Sequence, residues 1–139
     1  MEQKNIITSF GIIYRAFVDF TNDILKDSNI SFSDSIFLMN IGNQPGISQE
    51  NISTDLLIDR AAVARSVKSM EEKKLIRVER NSSDKRIKEL YLTASGKELY
   101  QYISDKNKKR TKQLFRGSTP EEIEGFTKVL NQIRENLQL

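Results

Sequence analysis

The chain has no cysteine and no histidine among its 139 residues. The first absence removes disulfides, thiol redox sensing and thiolate metal sites together. The second removes the commonest general base and the commonest metal ligand. Ordinary catalytic triads and zinc sites are therefore excluded, and a carboxylate-only metal site has no spacing signature here. Glycine is scarce: the six present mostly mark helix ends and turns, and none forms a loop that could cradle a phosphate. No apolar run approaches the ~18 residues that a membrane span needs. The opening MEQKNIITSF lacks a basic segment followed by a long apolar one, so a secretory leader is not expected. These absences point to a cytoplasmic protein with no catalytic residues, no metal, no cofactor and no membrane partner.

What is present is ordinary in amount and uneven in distribution. The chain is 37% hydrophobic and 29% charged, the balance of a soluble domain with helical extensions. Net charge is only +3, but residues 1–58 carry 3 basic and 7 acidic side chains while residues 60–92 carry 10 basic and 5 acidic. A positive charge concentrated on one segment is the footprint expected of a phosphate-binding face. A solvated charged surface would give a similar count.

Hydrophobic periodicity predicts a mainly α chain with a small β ribbon, an α+β fold. A first helix is expected over about Lys4 to Asp27. Its apolar residues Ile6, Phe10, Ile13, Phe17, Phe20 and Ile24 follow steps of 4, 3, 4, 3 and 4. That stripe is wider than one face of a small monomer needs. A second helix is expected after Ser33, ending with Gly42 in a left-handed C′ position. Ser48 is placed to cap a third helix whose Ile52, Leu56 and Leu57 face inward, with Ser53 small at a helix crossing. Asp59 is placed to cap a fourth. Ile76 to Arg80 and Ile87 to Leu92 alternate as a hairpin around a turn of NSSDK. Thr93 caps a fifth helix, whose end KNKKRTK reads as a solvated charged face. Thr119, Pro120 and Glu122 form a capping box before a sixth helix. There Ile123, Phe126, Leu130, Ile133 and Leu137 make a second heptad-like seam.

The stretch from Ile47 to Gly96 carries the functional signal. On the fourth helix, Val63, Val67 and Met70 fall within about 60° of one another and form the buried stripe. The opposite face presents Ala61, Arg65 and Lys68, flanked by Ala64 and Ser69. Small residues beside long basic ones suit a helix that sits close to base edges. Arg can bond guanine twice, and Lys can reach guanine or phosphate. The same residues are also good helix formers on any exposed face. Arg60 stands in the first turn, where the helix dipole disfavours a cation unless an anion lies opposite, and a phosphate is the natural candidate. The ribbon tip holds Asp84, Lys85 and Arg86. Arg86 projects where a minor groove would lie if the helix filled the adjacent major groove. Asp84 cannot bind phosphate, so its task is to hold a basic side chain or to fix the turn.

These residues, with Asp84-x-Arg86 followed by Leu92-Thr93-x-x-Gly96 and the connecting MEEKKLIRVER, resemble the MarR family of winged helix-turn-helix regulators over nearly the whole chain. The resemblance implies a homodimer formed by terminal helices, residues 1–32 and 113–139, around a winged helix-turn-helix domain of residues 33–112. It implies a repressor that reads an inverted repeat in double-stranded DNA. Ala61, Ala64, Arg65 and Lys68 then face the major groove and Arg86 enters the minor groove. It further implies a small organic effector, often aromatic or anionic, as a partner. Phe10, Tyr14, Phe17, Phe37 and Met39, with Arg15 as a counter-charge, are read as core or seam rather than as its pocket. Two positions depart from the pattern: Lys74 stands where the family usually has glycine, and Ala64 where it often has a hydroxyl. The competing reading is a winged-helix module that binds protein without specific DNA binding.

Overall fold

The computed structural model describes residues 3–138. Met1, Glu2 and Leu139, the ends of the expected dimerisation region, lie outside the described residues. Among those described, the elements run α1 (Gln3–Leu25), α2 (Phe32–Asn43), β1 (Ile47–Ser48), α3 (Gln49–Leu56), α4 (Arg60–Glu72), β2 (Ile76–Arg80), β3 (Lys88–Leu92), α5 (Ala94–Leu114) and α6 (Pro120–Leu137). This is a mainly α, winged helix-turn-helix architecture. Its residues form two compact units, one ending at Ile103 and one beginning at Ser104.

The first unit is organised around α4. Val63, Val67 and Met70 are buried at helical spacing and meet Leu38 and Ile41 of α2, Ile52 of α3, Ile76 of β2 and Leu90 and Leu92 of β3 in one core. Burying a side chain of this size stabilises the fold by roughly 1.5–3 kcal/mol, so the core fixes α4 against two helices and a sheet. The hairpin pairs Ile76 with Leu92 and Val78 with Leu90, which keeps the apolar positions of both strands on one face. Thr93 joins the sheet to α5: its Oγ1 accepts from the Gly96 amide at 3.1 Å and donates to the Lys74 carbonyl at 2.6 Å.

Three local expectations are corrected. α2 begins at Phe32 rather than after Ser33, because the Ser31 side chain caps it by accepting from the Asp34 amide. Gly42 lies inside α2 rather than beyond it. A Cβ there would overlap the ring of Tyr100, so the glycine serves a helix–ring contact, and the left-handed turn falls to Gly46 at φ +89°. Leu57 is half exposed, because it is the left-handed C-cap of α3 and points away from the core. Ser53 also donates its hydroxyl to the Ile58 carbonyl, closing the turn between α3 and α4. A third strand also exists. β1 pairs Ile47 with Leu90, and two residues are too few for alternation to announce it.

Lys74 adopts φ +59°. α4 therefore ends in the left-handed turn that glycine would favour, with the Leu75 amide bonding back to the Met70 carbonyl at 3.0 Å. Ordering this turn with lysine costs about 1 kcal/mol relative to glycine.

In α1 the expected seam is only partly covered, with Phe10, Ile13 and Phe17 all more than two-fifths exposed. In the second unit, α6 starts with the complete Thr119–Glu122 capping box and Pro120 in its first turn. Phe126 meets Phe115 edge-on at 5.8 Å, yet no described residue of α6 is fully buried within a single chain. No described helix is long and apolar enough to cross a membrane.

Candidate nucleic-acid interface

The first part of the interface is α4. Asp59 caps it, its Oδ1 accepting from the Ala62 amide at 2.9 Å. The burial of Val63, Val67 and Met70 then determines which side of the helix remains in solvent. Ala61, Ala64, Arg65 and Lys68 are all exposed on it. The core thus turns the expected reading face outward as one patch of two cations between alanines.

The far end of α4 is tied to α2 by a residue that the sequence pattern did not single out. Asp34 is buried, accepts a hydrogen bond from the Ser69 hydroxyl at 3.3 Å and faces the Lys73 ammonium at 3.8 Å. A buried carboxylate needs such partners to offset its desolvation. Its location in the first turn of α2 was visible in the sequence; its partner helix was not.

Arg60 opens α4 and its guanidinium meets Glu50 of α3 at 2.7 Å. The anion that sequence reasoning sought opposite Arg60 is thus supplied within the chain by a carboxylate. Both side chains stay mostly in solvent, at 79% and 70% exposure.

The second part of the interface is the wing. Asn81 organises its tip, with Oδ1 accepting from the Ser83 and Asp84 amides at 2.8 and 2.9 Å and Nδ2 donating to Glu89 at 2.9 Å. Arg80 closes the loop by donating to the Lys85 carbonyl at 2.8 Å, and the Lys85 side chain stays exposed. Asp84 takes a two-pronged grip on Arg86: Nε donates to Oδ1 and Nη2 to Oδ2, each at 3.1 Å, and the Arg86 amide adds a third bond at 3.0 Å. The guanidinium remains 92% exposed. Its bonds from the side chain and then the backbone hold the Asp84 carboxyl below its ordinary value, and the carboxylate in turn raises the Arg86 guanidinium. Asp84 therefore does both tasks expected of it: it orients the arginine and fixes the turn. On the sheet surface Arg77 lies over the Tyr91 ring at 4.5 Å, and the Tyr91 hydroxyl donates to Glu89. That bond raises the phenol above its ordinary range.

Between the start of α3 and the wing opens a cleft of about 610 Å3, walled by Gln49, Glu50 and Asn51 on one side and by Arg86 and Lys88 on the other, with α4 contributing its first residue, Arg60. Glu50, Asn81 and Lys88 were absent from the residues expected at the site. Asn81 opens the NSSDK turn and could have been suspected from its type. Glu50 and Lys88 are brought there only by the packing of α3 against β3. Among the described residues no cluster of carboxylates could hold a metal ion.

Residues 28–87 match the family model described as MarR family. The chain is 30% identical over 139 residues to an uncharacterised HTH-type transcriptional regulator of Staphylococcus aureus (strain MRSA252), covering 99% of this chain and 95% of that protein. A Listeria monocytogenes protein solved as a complex with 26mer DNA superposes with a TM-score of 0.89 at 32% identity, covering 99% of this chain and 91% of that one. Staphylococcus aureus MarR in complex with salicylate and kanamycin gives a TM-score of 0.80 at 29% identity, covering 96% and 91%.

Proposed function

The chain belongs to the MarR family of transcriptional regulators, and from that premise we propose that it is a sequence-specific repressor acting as a homodimer on an inverted-repeat operator. The observation that carries the reading is the pairing of two cationic elements of different kind. An exposed Arg65/Lys68 face is held outward by a buried stripe, and beside it a wing arginine is oriented by a carboxylate. α4 enters the major groove with Ala61 and Ala64 allowing close approach. Arg65 bonds a guanine edge, and Lys68 reaches guanine or phosphate. Arg86 enters the neighbouring minor groove, where a narrow A·T-rich stretch attracts it. Asp84 presets it, Arg60 and Lys85 contact phosphate, and Ala64 leaves more of the selectivity to DNA shape.

Residues 1–32 and 113–139 supply the dimer contacts and residues 33–112 the DNA-binding domain. The half-exposed apolar seams of α1 and α6 support this division. Two recognition helices roughly 34 Å apart read successive turns on one face of the duplex. The protein acts in the cytoplasm. A small organic effector releases it by favouring a different spacing of the two recognition helices, and DNA must then weaken effector binding by the same factor. The salicylate bound to the Staphylococcus aureus relative supports an aromatic acid as the class to test first.

The test is fluorescence anisotropy on duplex DNA from upstream of the protein's own gene, against a random duplex, with a salt titration. Binding at least ~10³ tighter than the control supports the reading. Equal and weak binding to both would favour a protein-binding winged-helix module instead. Sedimentation equilibrium returning a monomer at micromolar concentration would overturn the dimer.

A further inference from the structure

We infer that Glu50 is a positioning residue that holds Arg60 back from DNA, so that a phosphate must displace a carboxylate before Arg60 contributes to binding. This rests on the proposed DNA-binding function and adds to it a determinant of how tightly the protein holds DNA of any sequence.

The two residues sit at helix starts with opposite consequences. Glu50 lies in the first turn of α3, where the dipole stabilises an anion without help from any cation. Arg60 is the first residue of α4, where the dipole destabilises a cation, and the Glu50 carboxylate at 2.7 Å offsets this. The pair is exposed on the wall of the cleft between the start of α3 and the wing, where α4 begins. A DNA strand crossing from the major-groove face of α4 toward Arg86 passes over this cleft. Its phosphates then compete directly with Glu50 for the guanidinium.

The exchange is asymmetric. Arg60 trades one anion for another. Glu50 loses its partner and is left beside a phosphate, stabilised only by the α3 amides. The carboxylate therefore opposes every phosphate that fails to seat fully on Arg60. The other interface arginine differs in kind. Asp84 grips Arg86 from its own turn and leaves the guanidinium 92% exposed, so the pair presents the arginine without removing it from reach. Among the described residues Arg65 and Lys68 form no ion pair that would have to break.

The experiment measures binding to random duplex at low salt, where phosphate contacts dominate and no operator need be known, for wild type, Glu50→Gln, Arg60→Ala and the double variant. Glu50→Gln is expected to tighten binding by about two- to fivefold per protomer, the range of an exposed ion pair. It is also expected to steepen the slope of log K against log salt by about 0.9 for each phosphate gained. In the Arg60→Ala background both effects vanish. A structural role for Glu50 would move the melting temperature, not the salt slope. Unchanged or weaker binding by Glu50→Gln, or an equal gain without Arg60, would overturn the inference and leave the DNA-binding reading standing. Failure of the wild type to bind any duplex at low salt would overturn both.

Discussion

α4 and the wing tip both present exposed cations and hold them by opposite means. α4 is fixed from behind by Val63, Val67 and Met70, all almost fully buried, and its Arg65 and Lys68 are left exposed in solvent. The wing tip from Asn81 to Ile87 has no buried side chain. Its shape comes from hydrogen bonds of Asn81, Arg80 and Asp84, and its arginine is oriented before any ligand arrives. Apolar packing is strong and non-directional, so it sets where a helix lies and leaves its outer side chains mobile. Side-chain hydrogen bonds are individually weak but directional, so they can orient one guanidinium on an exposed loop at little cost in stability. One surface thus combines a rigid platform bearing mobile cations and a soft platform bearing an oriented one.

The sharpest way to break this comparison is to weaken the platform under the helix. Met70→Ala is expected to cost about 2–5 kcal/mol in urea denaturation, and to weaken operator and random duplex alike, because the whole helix loses its seat. A loss under about 1 kcal/mol would mean that the core does not hold α4 as described. Arg65→Ala is next. It is expected to cost about 1–3 kcal/mol in operator affinity, with little change in melting temperature and a relaxed preference at one base pair. Equal losses on operator and random duplex would reassign Arg65 to phosphate. Asp59→Ala removes the cap and is expected to lower stability by about 1 kcal/mol, while Asp59→Ser retains most of it.

The wing should respond the other way. Asp84→Asn is expected to leave the melting temperature nearly unchanged and yet weaken operator binding, by less than Arg86→Ala does. A large stability loss would show that the fork holds the fold and not merely the arginine. The pH dependence carries a sign. The Asp84 carboxyl lies below its ordinary value, so its contribution is complete above the unfolded-state value and is lost as pH falls through the folded one. The wing contribution to binding should therefore be flat between about pH 5 and 8, and a change inside that window would point to another titrating group.

Much of this was legible in the chain because it follows from local rules. The caps at Ser48, Asp59 and Thr119, the buried stripe of α4 and the β2–β3 alternation depend on residues within a few positions of one another. The Asp84–Arg86 fork is equally local, two residues apart. The differences between expectation and structure have two sources, one local and one distant. Gly42 reads as a helix end in the sequence and lies inside the helix because the ring it accommodates, Tyr100, is 58 positions away; Leu57 reads as core and lies half exposed because the left-handed cap at the α3–α4 junction turns it outward.

By itself the sequence determined the order of helices, the outward face of α4 and the composition of the wing tip, since periodicity, caps and turn chemistry act over a single turn or hairpin. Only the tertiary structure decided that Glu50 meets Arg60, that Asp34 holds the far end of α4 and that β1 joins the sheet. Those pairings bring together side chains 10, 35 and 43 residues apart. They exist because burying one apolar core brings separate elements together, and that burial is a property of the assembled layers and not of any stretch of chain.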